Sequence, residues 1–344
     1  MANYTLGISL PDRFSIYNIR KEDIMRKIPI FFASDDNYAP ILSVAIRSIE
    51  EHASVGNIYE IRILTEGLTK RNRQRLLSMR TDSLHISIVN VNEALMNDKE
   101  SIKATLRDYY SESIFYRIFI ASLFPEMKKA IYIDCDVVLL DDIAKLYDVE
   151  LGDKILGAVA DESIPRIPAF SAYTDRWVGV PPEEYINSGV LLINLDSFRK
   201  ENIEGKITYL LNNARFMTLA PDQDYLNFLC RGRIKYLSEG WNKQPIEGQK
   251  NPSSDLHLVH YNMFTKPWRY RGVLYEEEFW NRAKNTPYNE ELDISLATYT
   301  EADRSRDLSA AEKLVESAQR MADNPGLGFA EYMERHKEKE HITV

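Results

Sequence analysis

The sequence predicts an α/β fold built on a doubly wound, mainly parallel sheet, and three observations carry that prediction. From Ile28 onward, short apolar runs alternate with longer amphipathic ones, which is a βαβ rhythm. The run Ser188 to Leu195 hardly alternates, as expected of a strand buried on both faces. The chain has 344 residues, 44% of them hydrophobic, enough for one large domain with a sizeable core.

Residues 1–27 are polar with mixed charge and read as an extension before the sheet. Ile28 to Ala33 then reads as a strand, Tyr38 to His52 as a helix and Tyr59 to Leu64 as a strand. A helix follows from the N-cap Thr69 to Met79, then a strand from His85 to Val91. A helix over Ser113 to Phe124 leads into a strand from Ala130 to Asp134. Later strands are expected at Ile155 to Val159, Ser188 to Leu195 and Leu256 to His260. Alternation of this kind implies helices on both faces of a single sheet.

After about Pro287 the composition turns to Glu, Asp, Arg, Lys and Ala. Helical spacing holds from Ser309 to Met321, breaks at Asn324-Pro325-Gly326 and resumes to about Glu340. The expected organisation is thus an extension (1–27), a sheet domain (28–286) and a helical C-terminal appendage (287–344).

Forty-three basic residues against 52 acidic ones give a net charge of −9, which disfavours nucleic acid and anionic bilayers as partners. Cys135 and Cys230 are too few for a disulfide framework and suggest a reducing compartment, the cytoplasm. The first residues lack a secretory pattern, and no window approaches the ~18 apolar residues of a spanning helix. A soluble protein, at most peripheral at the inner face of a membrane, is expected.

The residues with chemical potential begin at Asp134-Cys135-Asp136, between two apolar runs. Strand periodicity would turn both carboxylates to one side, and two close carboxylates repel unless a cation neutralises them. Carboxylate oxygens suit Mg²⁺ or Mn²⁺. His260, ending its own apolar run, is a candidate third ligand that favours Mn²⁺ by type, and Lys266 follows six residues later as a point charge for phosphate. Asp35 and Asn37 lie in a polar loop after the first strand, where a doubly wound fold receives nucleotides, although Asp36 or Asn37 could equally cap the next helix. Arg117 can reach the same cleft. Asp222, Gln223 and Asn187 head a helix and a buried strand, where capping competes with sugar binding.

Taken in order, Phe32-Ala33-Ser34-Asp35-Asp36-Asn37-Tyr38, Tyr116-Arg117, Asp134-Cys135-Asp136, Asn187-Ser188-Gly189, Asp222-Gln223-Asp224, His260-Tyr261 and Lys266-Pro267-Trp268 resemble glycosyltransferase family 8. The likeness runs from about Ile28 to Trp268 and is nearest to bacterial lipopolysaccharide galactosyl- and glucosyltransferases, with glycogenin more distant. It implies a nucleotide-diphosphosugar transferase fold of type A. It also implies a UDP-hexose donor, a glycan or glycolipid acceptor, Mn²⁺ as cofactor with Mg²⁺ as the alternative, and retention at the anomeric carbon. By motif position, Asp134, Asp136 and His260 would ligate the metal. Ala33, Asp35, Asn37 and Arg117 would serve the nucleotide, Lys266 the phosphates, and Asn187, Asp222, Gln223 and Asp161 the transferred sugar. Gln223, Asp222 and Lys266 would be the catalytic set.

One departure is Met263, standing where the family motif has a glycine; ordinary dihedrals there would still let its N–H face the diphosphate. Two rival readings are a haloacid-dehalogenase-like phosphatase with Asp134 as nucleophile, and a non-catalytic UDP-sugar or glycan-binding protein. The phosphatase motif normally lies on a first strand, whereas at least three strands precede Asp134 here.

Overall fold

The computed structural model describes residues 25–91, 112–214, 216–246 and 255–335. The N-terminal extension up to residue 24 and the helical stretch expected beyond residue 335 lie outside the described residues. Nine strands are present among them: β1 (Arg26–Ala33), β2 (Asn57–Thr65), β3 (Leu84–Asn90), β4 (Lys129–Ile133), β5 (Val137–Leu139), β6 (Leu156–Ala160), β7 (Ile186–Asn194), β8 (Ile234–Tyr236) and β9 (Leu258–His260). Seven form one sheet in the order β3-β2-β1-β4-β7-β6-β8, and β5 pairs with β9 in a second, two-stranded sheet.

The chain moves outward from β1 through β2 to β3, all parallel, then returns to the other side of β1 as β4. The carboxyl ends of β1 and β4 are therefore neighbours at a topological switch point, where open α/β sheets bind ligands. The sheet is mixed, because β7 runs antiparallel to both β4 and β6. That reversal brings the first residues of β7 to the carboxyl end of β4, with Val190 opposite Ile133.

Each face of the sheet has its own core. Ile28, Ile30 and Phe32 pack with Leu42, Ala45 and Ile49 of the helix Ala39–Glu51, whereas Phe31 turns to the other face among Phe115, Tyr132 and Leu191. This is the period-two alternation of a strand covered on both sides.

Three observations differ from expectation. Strands β5 and β8, three residues each, are too short for a periodic signal. The helix expected over Ser113 to Phe124 winds instead as a 3₁₀ helix over Glu112–Phe119, followed by a single α turn, Ile120–Leu123. The long C-terminal helix begins at Glu301 rather than Ser309. Thr300 and Asp303 close a capping box there, but Glu301 to Asp307 has no apolar period to reveal the helix.

The C-terminal helices Glu301–Ala322 and Phe329–Arg335 pack on the main core through Leu314, Ala318, Met321 and Phe329. Phe329 is fully buried, stacks on Phe216 with ring centroids 4.0 Å apart and meets Tyr225 edge-on at 5.0 Å. Truncating such an aromatic leaves a cavity, so Phe329→Ala should cost about 3–5 kcal/mol. A urea midpoint lowered at unchanged slope would show it; a loss below about 1 kcal/mol, the size of a surface change, would contradict the packing. Among the described residues no helix is long and apolar enough to cross a membrane.

Candidate metal and donor site

At the end of β4 the Asp134 N–H donates to the Gly189 carbonyl at 2.8 Å, and the chain then turns at Cys135 before resuming as β5. The two carboxylates thus converge through a turn and not through strand periodicity. Strand β9 pairs antiparallel with β5 so that His260 faces Val137, and Tyr261 N–H donates to the Asp136 carbonyl at 2.8 Å. His260 Nε2 stands 3.3 Å from Asp136 Oδ1 and 3.8 Å from Asp134 Oδ2. One ligand atom from each of Asp134, Asp136 and His260 lies within 4.8 Å of the other two.

These residues fit a divalent cation on their own chemistry. Two carboxylates and one imidazole nitrogen are the donor types that Mn²⁺ and Mg²⁺ sites use. His260 Nδ1 is engaged elsewhere, by Asn242 Oδ1 at 2.8 Å, so Nε2 is the nitrogen turned to the carboxylates. Gly189 leaves the necessary space: a Cβ there would lie 2.2 Å from His260 Cε1 and 2.7 Å from Asp134 Oδ2.

Two buried cations hold the carboxylates. Lys266 Nζ donates to Asp136 and to the Tyr261 carbonyl. Burial alone would raise the Asp136 pKa, but Lys266 and His260 pull it below the usual carboxylate range. Arg117 donates to Asp134 Oδ1 at 2.8 Å and to the Ser188 carbonyl at 2.5 Å, lies 3.1 Å from Asp222 Oδ2, and stacks over the Tyr132 ring at 4.2 Å. Burial works against its charge, but Asp134 and Asp222 outweigh it and raise its pKa. Burial pushes the Asp222 carboxyl up, with Arg117 opposing.

Beyond Asp222 the polar groups continue as one network. Asp161, just past β6, accepts from Asn187 Nδ2 at 2.9 Å, Gln223 Nε2 at 3.3 Å and Gln244 Nε2 at 3.0 Å. Gln223 Oε1 accepts from Ser188 N–H at 2.8 Å, and Ser188 Oγ donates to Asp222 at 2.9 Å. Asn187, Asp222, Gln223 and Asp161 therefore meet, although they come from three separate stretches of chain.

The loop after β1 is nearby, since Cys135 Sγ donates to the Ala33 carbonyl at 3.1 Å. Asp35 Oδ1 accepts from Tyr38 N–H at 2.9 Å, and Asp36 does not cap the helix Ala39–Glu51 but binds Thr69 and Asn72 at the start of the later helix Lys70–Leu77. Asn37 is exposed. Neither Asp35 nor Asn37 shares a hydrogen bond with the cluster among the described residues.

Met263 does not have ordinary dihedrals: its φ is 61°, in the left-handed region that favours glycine. The loop keeps a glycine-like backbone, and the Met263 side chain is turned out to solvent, 45% exposed. Sequence reasoning missed Tyr132, Asn242 and Gln244 and gave Ser188 and Gly189 no individual role. For Asn242 and Gln244 the only trace is the run of three polar residues in Trp241-Asn242-Lys243-Gln244, which reads as an ordinary loop.

The model of the family described as glycosyl transferase family 8 matches residues 29–272. General stress protein A of Bacillus subtilis is 27% identical over 281 residues, covering 79% of this chain and 93% of that protein. A lipopolysaccharide 1,2-glucosyltransferase of Escherichia coli is 25% identical over 290 residues, covering 78% and 83%. A putative glycosyltransferase of Haemophilus influenzae is 29% identical over 220 residues, and the match spans 64% of its length. Among solved structures, galactosyltransferase LgtC in complex with donor and acceptor sugar analogs superposes with a TM-score of 0.63 at 25% identity, covering 76% of this chain and 96% of that one. The bifunctional glycosyltransferase WbbM reaches 0.68 at 24% identity, with 52% of its chain covered. The sheet thus has the type A nucleotide-diphosphosugar fold expected from the motifs, and the reading of Asp134 as a phosphatase nucleophile loses its support.

Proposed function

The chain belongs to glycosyl transferase family 8, and from that membership we propose a retaining hexosyltransferase that moves galactose or glucose from a UDP-sugar to a glycan or glycolipid acceptor. The observation that carries the reading is the meeting of Asp134, Asp136 and His260 within 4.8 Å, with Lys266 bound to one of them. A Mn²⁺ ion held there, or Mg²⁺ in its place, would neutralise the diphosphate and make UDP a better leaving group. The likeness to a galactosyltransferase and to lipopolysaccharide glucosyltransferases supports the hexose class and a cell-surface glycan as product.

In this reading Lys266 stabilises charge developing on the departing UDP, and its buried position strengthens that interaction. Asp222 and Gln223 flank the transferred sugar with Asn187 and Asp161, and Arg117 bridges Asp222 and Asp134. Ala33, Asp35 and Asn37, beside the carboxyl end of β1, serve the nucleotide. Both cysteines are free and buried, which suits a cytoplasmic site of action.

Release of UDP from a panel of UDP-sugars, with and without Mn²⁺, tests the assignment. UDP-galactose or UDP-glucose should be turned over, EDTA should stop the reaction, and Mn²⁺ or Mg²⁺ should restore it. Turnover unaffected by chelation, or confined to a phosphate ester, would overturn it.

A further inference from the structure

His260 has two ring nitrogens, and a cation can use one only if the other carries the proton. Hydrogen bonds through three buried side chains decide which. The Gly189 N–H donates at 3.0 Å to the side chain of Asn187, and a backbone amide can only donate, so the atom it meets is the Asn187 oxygen. The Asn187 nitrogen is then the atom on Asp161 Oδ2, at 2.9 Å. The same Asn187 oxygen lies 2.9 Å from Asn242, which must donate to it through Nδ2. Asn242 Oδ1 is left facing His260 Nδ1 at 2.8 Å and can only accept. His260 Nδ1 therefore carries a proton, which makes Nε2, on the side of Asp134 and Asp136, the nitrogen a cation would take.

The backbone holds Asn242 in this place. Lys243 N–H donates to the Leu258 carbonyl at 3.0 Å and His260 N–H to the Lys243 carbonyl at 2.8 Å, so the segment lies alongside β9. Lys243 sends its own side chain to Glu162, at 2.9 Å, while Asn242 turns inward and is 1% exposed.

We propose that Asn242 is a positioning residue for the cation site: it fixes the His260 tautomer and, through Asn187, ties that ligand to Asp161 on the sugar side. The proposal rests on Asp134, Asp136 and His260 being the cation ligands. Loss of a partner of this kind typically weakens metal binding by about 10–100-fold. Asn242→Leu keeps the volume but removes both hydrogen bonds. Asn242→Asp keeps an acceptor for Nδ1–H but loses the donor to Asn187, so the two halves of the role separate.

Calorimetric titration of the full chain with Mn²⁺ alone reads the first half, and NMR of the ¹⁵N-histidine-labelled wild type reads the tautomer directly. Expected are a proton on His260 Nδ1, a loss of about 10–100-fold in Mn²⁺ affinity for Asn242→Leu, and near wild-type affinity with a raised donor KM for Asn242→Asp. Overturning results are a proton on Nε2 in the wild type, undiminished Mn²⁺ binding by Asn242→Leu, or equal losses in both variants. A wild type that binds no Mn²⁺, or an Asp136→Asn variant that binds it fully, would instead refute the ligand set beneath the proposal.

Discussion

Replacing Gly189 with alanine is expected to lower turnover by at least about 100-fold while leaving the chain folded, a change of one methyl group in the middle of a strand. The glycine has no unusual φ to protect; its role is close approach. A Cβ at this position would lie 2.2 Å from His260 Cε1 and 2.7 Å from Asp134 Oδ2, far inside van der Waals contact. Neither neighbour retreats easily. His260 ends β9 and is held by Asn242, and Asp134 is held by Arg117 and by Tyr132 Oη at 2.9 Å. The strand itself is paired on both sides, with β4 and β6. Displacing two of three ligand atoms by an ångström or so is enough for a loss of that size. Overpacking costs stability too, about 1–3 kcal/mol, which a chain with a core on each sheet face should survive. Circular dichroism, a thermal melt and Mn²⁺ titration on the same sample separate the effects. Wild-type Mn²⁺ affinity in Gly189→Ala would mean that the methyl group is accommodated and the cradle is not tight.

How far such a site can be read from sequence depends on the range of the interaction. Strands β1 to β4 were legible because each is an apolar run with β-branched residues, and their observed bounds fall within two residues of expectation at every end. The pair Asp134 and Asp136 was legible because both stand in one short stretch, although the turn that brings them together was not. His260 was legible as a histidine ending an apolar run and Lys266 as a cation six residues on, but the chain crossing that delivers them to Asp136 depends on β5, too short to announce itself. Gly189 and Asn242 are the instructive cases. A glycine in a buried strand signals close approach without saying to what, and Asn242 acts on residues 18 and 55 positions away. Nothing local in the sequence encodes either partner.

Asp136→Asn should remove both metal-dependent turnover and a measurable part of the stability, and the two losses have different causes. Asp136 is buried, and its carboxylate is the anionic partner of Lys266, which is buried as well. An amide leaves the ammonium with the Tyr261 carbonyl and no counter-charge, and breaking a buried ion pair on one side typically costs about 3–5 kcal/mol. Turnover falls for another reason: one of two anionic ligands is gone. If the cation supplies several kcal/mol of transition-state stabilisation, the rate drops by roughly 10³-fold or more. The double variant Asp136→Asn/Lys266→Met distinguishes the two, because it removes the stranded charge along with its partner. Its urea midpoint should recover most of the loss seen in Asp136→Asn, while its turnover stays abolished and Mn²⁺ titration shows no tight site. Recovery of activity together with stability would mean that Asp136 serves only to neutralise Lys266, and the ligand assignment would fall. Failure of stability to recover would instead place the cost of Asp136→Asn in the turn at Cys135, where Asp136 also receives the Tyr261 N–H on its carbonyl.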